Sequence, residues 1–190
     1  MVVVMDHVKK EVFGWLNSVV IGLNLCPFSA KPTSENRVRF QVSQSINEED
    51  LAAELIHEME LLDKTPAAEI ETTLFIIPNS LQDFFDYTQF LNWAQAQLKR
   101  HGWLGVYQLA SFHPNYCFAG AEAEDDENLT NRAPYPIVHI IREASLEKAL
   151  QYYEDVEEIP ERNKARVEGL TETQKQTLFP YLTSKNKSNF

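Results

Sequence analysis

The sequence predicts an α/β (α+β) fold, in which a four-stranded mixed β-sheet is packed by helices into a single-domain sandwich. Segments with helical spacing alternate with short β-branched runs along the first half of the chain. The last two strand-like runs then follow each other with no helix between them. With 190 residues and 44% hydrophobic content, the chain has enough apolar side chains for one core. We assign residues 1–183 to this domain and residues 184–190 to a frayed tail.

The first helix is predicted from Asp6 to Leu23, because apolar residues recur three and four positions apart. Asn24 suits a left-handed helix end. The next segment, residues 25–32, contains two prolines, which favour extended backbone in the residues before them. We therefore expect a rigid loop here.

Two strands and two helices are predicted in the next part of the chain. Alternating residues over 37–45 indicate a half-buried strand, and a continuous β-branched run over 72–77 indicates a strand covered on both faces. Asn47 is expected to cap the helix between them. Ser80, with Asp83 three residues later, marks the predicted start of the following helix.

The second half of the chain contains the remaining two strands, predicted over residues 106–112 and 137–142 and expected to pair antiparallel. A long loop, residues 114–134, joins them. Its acidic tip consists of Glu122, Glu124, Asp125, Asp126 and Glu127. Loops of this length inside a compact domain are usually functional. Helices are then predicted over residues 145–155, 161–168 and from Thr171 to about Pro180.

Composition excludes several classes of protein. The formal net charge is -11, which argues against a nucleic acid or an anionic membrane as partner. The N-terminus lacks the pattern of a secretory signal, and no apolar run is long enough to span a bilayer. Two cysteines do not make a disulfide framework, so we expect a cytoplasmic protein with reduced thiols.

Two histidines and a cysteine are the candidate catalytic residues. His113 stands where the third strand ends and suits a general acid or base, while His139 occupies the middle of the fourth strand, an unusual place for a histidine. Cys26 is a candidate nucleophile, although its position after a helix C-terminus and its apolar neighbours should raise its pKa. The alternatives are hydrogen-bonded core histidines and a buried, inert cysteine.

The long loop supplies the candidate substrate-binding residues. Arg132 lies next to Asn131 in a proline-stiffened stretch, and a guanidinium held in this way suits a carboxylate or phosphate. Tyr116 and Tyr135 offer aromatic walls. An arginine that only neutralises the acidic tip is the equally weighted alternative, and for the tip itself a solvated loop is preferred to a cation site.

Several blocks of the sequence resemble a bacterial family known as domain of unknown function 1415. The resemblance rests on Gly22–Phe28, Ala110–Pro114 with Tyr116, Phe118 and Ala119, Thr130–Pro136 with His139, Arg142 and Glu143, and Ile159–Asn163. Ala133 stands where the family most often has serine, which argues against a role for that hydroxyl. The resemblance implies a soluble bacterial protein of about this length and brings no reaction with it.

These observations favour an enzyme that acts on a small anionic metabolite with a His/Arg/Cys site. His113 would be the acid or base, Arg132 and Asn131 would bind the anionic group, and Cys26 would be the nucleophile. In one version, Cys26 and the two histidines bind zinc or iron. A non-catalytic ligand- or protein-binding module and a structural protein are the alternatives. The residues identify neither a cofactor nor an oligomeric state.

Overall fold

The computed structural model describes residues 2–151 and 155–185, and the side chains of residues 5–151 and 155–182 within them. Four strands form one sheet in the order β1-β2-β4-β3. Their bounds are Val38–Val42 (β1), Thr72–Ile76 (β2), Tyr107–Phe112 (β3) and Ile137–Arg142 (β4). The predicted four-stranded mixed sheet is thus confirmed.

The pairing of the strands follows the predicted pattern. β1 and β2 are parallel, with Val38 opposite Thr72. β4 is antiparallel to both of its neighbours, so that His139 lies opposite Leu74 of β2 and opposite Ala110 of β3. The predicted antiparallel pairing of the last two strands is confirmed.

Helices flank the sheet on both faces. The first helix, α1 (Val2–Trp15), continues as a π-helix over Leu16–Ile21. The other α-helices are α2 (Ala30–Ser34), α3 (Glu48–Lys64), α4 (Phe84–Arg100), α5 (Glu143–Leu150), α6 (Ile159–Glu168), α7 (Glu172–Leu178) and α8 (Pro180–Lys185). Two short 3-10 helices cover Asp126–Thr130 and Val156–Glu158. No described helix is long and apolar enough to cross a membrane.

The apolar side chains form two cores, one on each face of the sheet. The core beneath α3 and α4 includes Phe75 of β2 and Val138 of β4. The opposite core lies beneath α1, the π-helix and α6, and it includes Leu74 and Ile137. Neighbouring residues of β2 and β4 therefore enter different cores, as the alternation of side chains along a strand requires.

Several details of the prediction need correction. The helix predicted to start at Ser80 is capped instead by Asp83, whose carboxylate accepts from the backbone N–H groups of Phe85 and Asp86. The loop predicted over 25–32 contains the start of α2, because Pro32 lies in the first helical turn, where its missing N–H needs no partner. The predicted helix over 145–155 runs instead over Glu143–Leu150, and its last part lies outside the described residues.

Several of the predicted helix signals agree with the structure. Asn24 is left-handed, with φ of 51°, and Asn47 caps α3. Thr171 and Gln174 form the predicted capping box at the start of α7. Of the predicted tail, residues 184 and 185 end α8, and the rest lies outside the described residues.

A charged pair joins α3 to the edge strand β1. The Arg39 guanidinium donates to both carboxylate oxygens of Glu58, over 2.7 and 3.0 Å. The two side chains differ in burial, since Glu58 is 3% exposed and Arg39 is 34% exposed. Removing the arginine therefore leaves a buried carboxylate, whereas removing the carboxylate leaves a cation that water can reach.

This asymmetry predicts unequal costs for the two single substitutions. Arg39→Met should lower the free energy of unfolding by about 3 kcal/mol, and Glu58→Gln should lower it by about 1 kcal/mol. The double variant Arg39→Met/Glu58→Leu should recover most of the lost free energy of unfolding, because it leaves no buried charge without a partner. Urea unfolding at constant m-value measures all three, and equal costs for the single variants would contradict the argument.

Candidate functional site

A cavity of about 660 Å³ opens at the end of the sheet where β1 and β2 begin and β4 ends. Its floor is the sheet face with Val38, Leu74 and Ile141. One wall is the segment 26–33, which follows the π-helix and includes the start of α2, and another wall is α5. Cys26 and His139, which are 113 positions apart in the chain, both line this cavity.

The segment that carries Cys26 is held by unusual backbone. The π-helix leads into Gly22, where a Cβ atom would lie 2.3 Å from the carbonyl oxygen of Ser18, so no other residue fits without displacing the helix. Asn24 then turns the chain through the left-handed region. π-helical turns are rare and occur often beside functional sites.

Helix α6 secures the same segment from the other end of the chain. Asn163 Nδ2 donates to the carbonyl of Leu25 over 2.6 Å, and the Arg166 guanidinium donates to the carbonyls of Leu23 and Asn24. These carbonyls follow a helix end, where the helix itself supplies no donor. Cys26 is thus positioned by side chains that no local sequence signal would connect to it.

The Cys26 thiol is half-buried at the cavity wall. Burial raises its pKa, as the sequence predicts, while the nearby backbone of Phe28 and the neighbouring Ser29 lower the pKa in part. The net effect is a raised pKa, so the thiol is protonated at neutral pH. Ser29 closes the turn that starts at Cys26, because its hydroxyl donates to the Cys26 carbonyl over 2.7 Å and its backbone N–H over 3.2 Å.

His139 is fixed in one tautomer by the neighbouring strand. The Thr72 hydroxyl donates to the Ile140 carbonyl over 2.6 Å, and this carbonyl can only accept. Because Thr72 has a single hydroxyl proton, Nε2–H of His139 must donate to the Thr72 oxygen, over 2.6 Å. Nδ1 is then unprotonated, and no described residue donates to it. Burial lowers the pKa of His139 to about 4, so the imidazole is neutral at pH 7.

Four cationic side chains and one carboxylate also line the cavity. Arg37 contacts the carboxylates of Glu71 and Glu35, so its charge is compensated. Arg142 donates to the carbonyls of Leu62 and Thr65 at the end of α3. By contrast, the exposed Lys31 and Lys148 form no ion pair with any described residue.

His113 lies away from this cavity, on the other face of the sheet. Its side chain is fully buried and contacts the rings of Phe84 and Tyr87 on α4. The backbone N–H of Asn115 donates to Nδ1 over 3.0 Å, so Nε2 carries the proton and donates to the Leu81 carbonyl, also over 3.0 Å. Both ring nitrogens are thus occupied, as in a structural histidine.

The predicted substrate-binding residues hold the long loop in place. Arg132 donates to the carbonyls of Tyr116 and Ala123 within the loop. Asn131 Nδ2 donates to the Ser111 carbonyl over 3.0 Å. Tyr135 bonds to Glu11 of α1, and Tyr116 packs against Phe84 and Phe118. None of these residues lines the cavity, and their roles in binding remain predictions.

Two of the five acidic residues at the loop tip are paired with the helices that follow the sheet, and the other three, Glu122, Glu124 and Asp125, are exposed. Asp126 pairs with Lys175 of α7 and Glu127 with Lys164 of α6, both at 2.6 Å. Among the described residues, no three His, Cys, Asp or Glu side chains are grouped as a metal site would require. In particular, Cys26, His113 and His139 do not converge, so the zinc or iron version of the site is not supported by the structure.

Sequence reasoning identified Cys26 and His139 but missed the rest of their surroundings. No signal in the sequence distinguished Thr72, Lys31 and Lys148 from ordinary strand and surface residues. Ser29 was detectable in principle, since it stands three positions after Cys26 in a proline-containing turn.

A family model described as a protein of unknown function (DUF1415) matches residues 7–177. No curated protein and no solved structure gives a significant match to the chain.

The lowered pKa of His139 predicts a specific contribution to stability. In the unfolded chain His139 takes up a proton near pH 6.5, whereas in the folded chain it does so only near pH 4. The unfolded state therefore binds more protons between these values, and stability should rise from pH 4 to 6.5 and then level off. His139→Asn should remove about 3 kcal/mol of this rise.

Urea unfolding over pH 4 to 8 measures this contribution as the difference between variant and wild type. His57→Asn, at an exposed position of α3, is the matched control and should leave the profile unchanged. An His139→Asn profile parallel to that of wild type would contradict the lowered pKa.

The contact from α6 predicts that Asn163 controls the mobility of the Cys26 segment. Asn163→Ala leaves the Leu25 carbonyl without its donor and should cost about 1–2 kcal/mol of stability. Amide hydrogen exchange of residues 23–29 should accelerate more than that of the sheet. Asn92→Ala, on the exposed side of α4, should change neither quantity. Unchanged exchange of residues 23–29 in the Asn163 variant would contradict this role.

Proposed function

The chain belongs to the DUF1415 family, whose description names no reaction, and we propose a function from the geometry of the cavity instead. We propose that the protein is an enzyme that acts on a small anionic metabolite bound in this cavity. Cys26 is the nucleophile, and Nδ1 of His139 accepts its proton. Lys31 and Lys148 attract the anionic group of the metabolite.

One observation carries the proposal: Cys26 and His139 line the same cavity although they lie on distant segments of the chain. A cavity of about 660 Å³ is of the size that holds a drug-sized ligand. A thiol and a neutral imidazole with an unprotonated Nδ1 are also the two partners that covalent catalysis needs.

The resting state of these groups defines how a covalent step would run. The thiol is protonated and the imidazole is neutral, so no thiolate–imidazolium pair exists before substrate binds. The sulfur bonds to an electrophilic carbon of the substrate as the thiol proton passes to Nδ1. The leaving group then takes that proton as its bond to the carbon breaks.

A non-catalytic binding module is the second candidate, and the same pKa shifts favour it. A protonated thiol is a weak nucleophile, and an imidazole with a pKa near 4 is a weak base. In this case the cavity holds its ligand without changing it.

We also propose a cytoplasmic location and a single domain over residues 1–183. Two free cysteines suit a reducing compartment. For His113, Asn131 and Arg132 we propose a structural role, because their side chains bond to backbone groups of neighbouring loops.

The rate of alkylation of Cys26 by iodoacetamide separates the two candidates. Peptide mass spectrometry follows Cys26 and Cys117 separately, so Cys117 serves as the internal control. For the enzyme we expect Cys26 to react, and His139→Asn to slow that reaction several-fold at pH 7–8 while Cys117 is unaffected. A Cys26 rate that is the same with and without His139 would contradict the enzyme and leave the binding module.

A further inference from the structure

We infer that the ligand of the cavity is a carboxylate with an extended apolar body, rather than a compact or phosphate-rich anion. This inference rests on the proposed function in that it takes the cavity as the binding site. It adds the chemical class of the ligand, which follows from the distribution of apolar and charged side chains along the cavity wall.

Most of the lining of the cavity is apolar. Leu74 and Ile141 rise from the sheet, Phe28 and Pro32 face from the segment before and within α2, and Leu146 and Ala149 belong to α5. Such a lining binds hydrocarbon by removing it from water. A sugar phosphate or a nucleotide would leave most of its polar groups against these side chains without hydrogen bonds, which is costly.

The cationic side chains of the cavity that contact neither a carboxylate nor a backbone carbonyl lie at its exposed rim. Lys31 stands in the first turn of α2, and Lys148 stands on α5, and both are exposed. Arg37 is already matched by two carboxylates, and Arg142 is bonded to backbone carbonyls. Two exposed lysines at the mouth suit a singly charged head group that stays partly hydrated.

The first turn of α5 also bears on the binding of an anion in the cavity. Ala144 and Ser145, in its first turn, line the cavity, and no side chain caps this helix end. The first amide of α5, that of Glu143, donates to the Val106 carbonyl over 2.9 Å, and the Glu143 carboxylate already stands in this turn. The amides of Ala144 and Ser145, at the positive end of the helix dipole, are therefore the part of this helix start that favours a carboxylate in the cavity. The apolar interior and the cationic mouth thus match the two ends of one amphiphilic molecule.

A series of fatty acids of increasing length tests the inference by isothermal titration calorimetry. Butyrate, hexanoate and octanoate carry the same head group, and burial of each further pair of methylenes should tighten binding about tenfold. Octylammonium has the chain without the anion and should bind at least tenfold more weakly than octanoate. Affinity that does not depend on chain length, equal binding of octylammonium, or tighter binding of inorganic phosphate would overturn the inference.

Substitutions at the rim locate the binding. Lys31→Gln/Lys148→Gln should weaken octanoate binding about threefold or more, with the larger effect at low salt. Lys99→Gln, an exposed lysine of α4 on the opposite face of the sheet, is the matched control and should have no effect. Octanoate should also slow alkylation of Cys26, and failure to do so would place the ligand elsewhere and overturn the inference.

The outcomes for the ligand class and for the enzyme are separable. If octanoate does not bind but alkylation of Cys26 depends on His139, the ligand class is wrong and the enzyme stands. If octanoate binds and protects Cys26, but His139 has no influence on its reactivity, the ligand class stands and the protein is a binding module.

Discussion

The position of Cys26 depends on how the end of the first helix satisfies its backbone carbonyls. Beyond the π-helix, the carbonyls of Leu23, Asn24 and Leu25 have passed the last helical turn, and a buried carbonyl without a donor is costly. The donors come from α6, and the bond from Asn163 spans 138 positions of the chain. One wall of the cavity is therefore built only when the two ends of the chain fold together.

Burial has the same effect on both of the proposed reactive groups of the cavity, since it favours the neutral form of each. It raises the pKa of the Cys26 thiol and lowers that of the His139 imidazole, so both are neutral under ordinary conditions. The formal net charge of -11 repels anions at long range, while the two rim lysines act over a short distance. Affinity for an anion then has to come mainly from its apolar part.

Much of the fold was predictable from the sequence, because its signals are local. The spacing of apolar residues located most helices and strands, and the capping residues Asn47 and Thr171 marked their helix starts. The site was predictable only in part. The zinc or iron version of the site requires His113 and His139 to lie on one face, but alternation along the strands sends them to opposite faces of the sheet. Exposed lysines such as Lys31 and Lys148 are too common on surfaces to stand out in one sequence.

The strand order β1-β2-β4-β3 has a consequence for the assembly of the sheet during synthesis. β3 leaves the ribosome before β4, yet its only partner in the sheet is β4. β1 and β2 can pair as soon as both have emerged, but β3 must wait, with its backbone groups unpaired, until residues 137–142 insert beside β2. Such long-range pairing is slow and leaves a strand edge open meanwhile. The nascent chain therefore passes through a stage in which the edge of β3 is unpaired. At this stage, packing against α4 or binding of a chaperone would shield β3 from pairing with other chains.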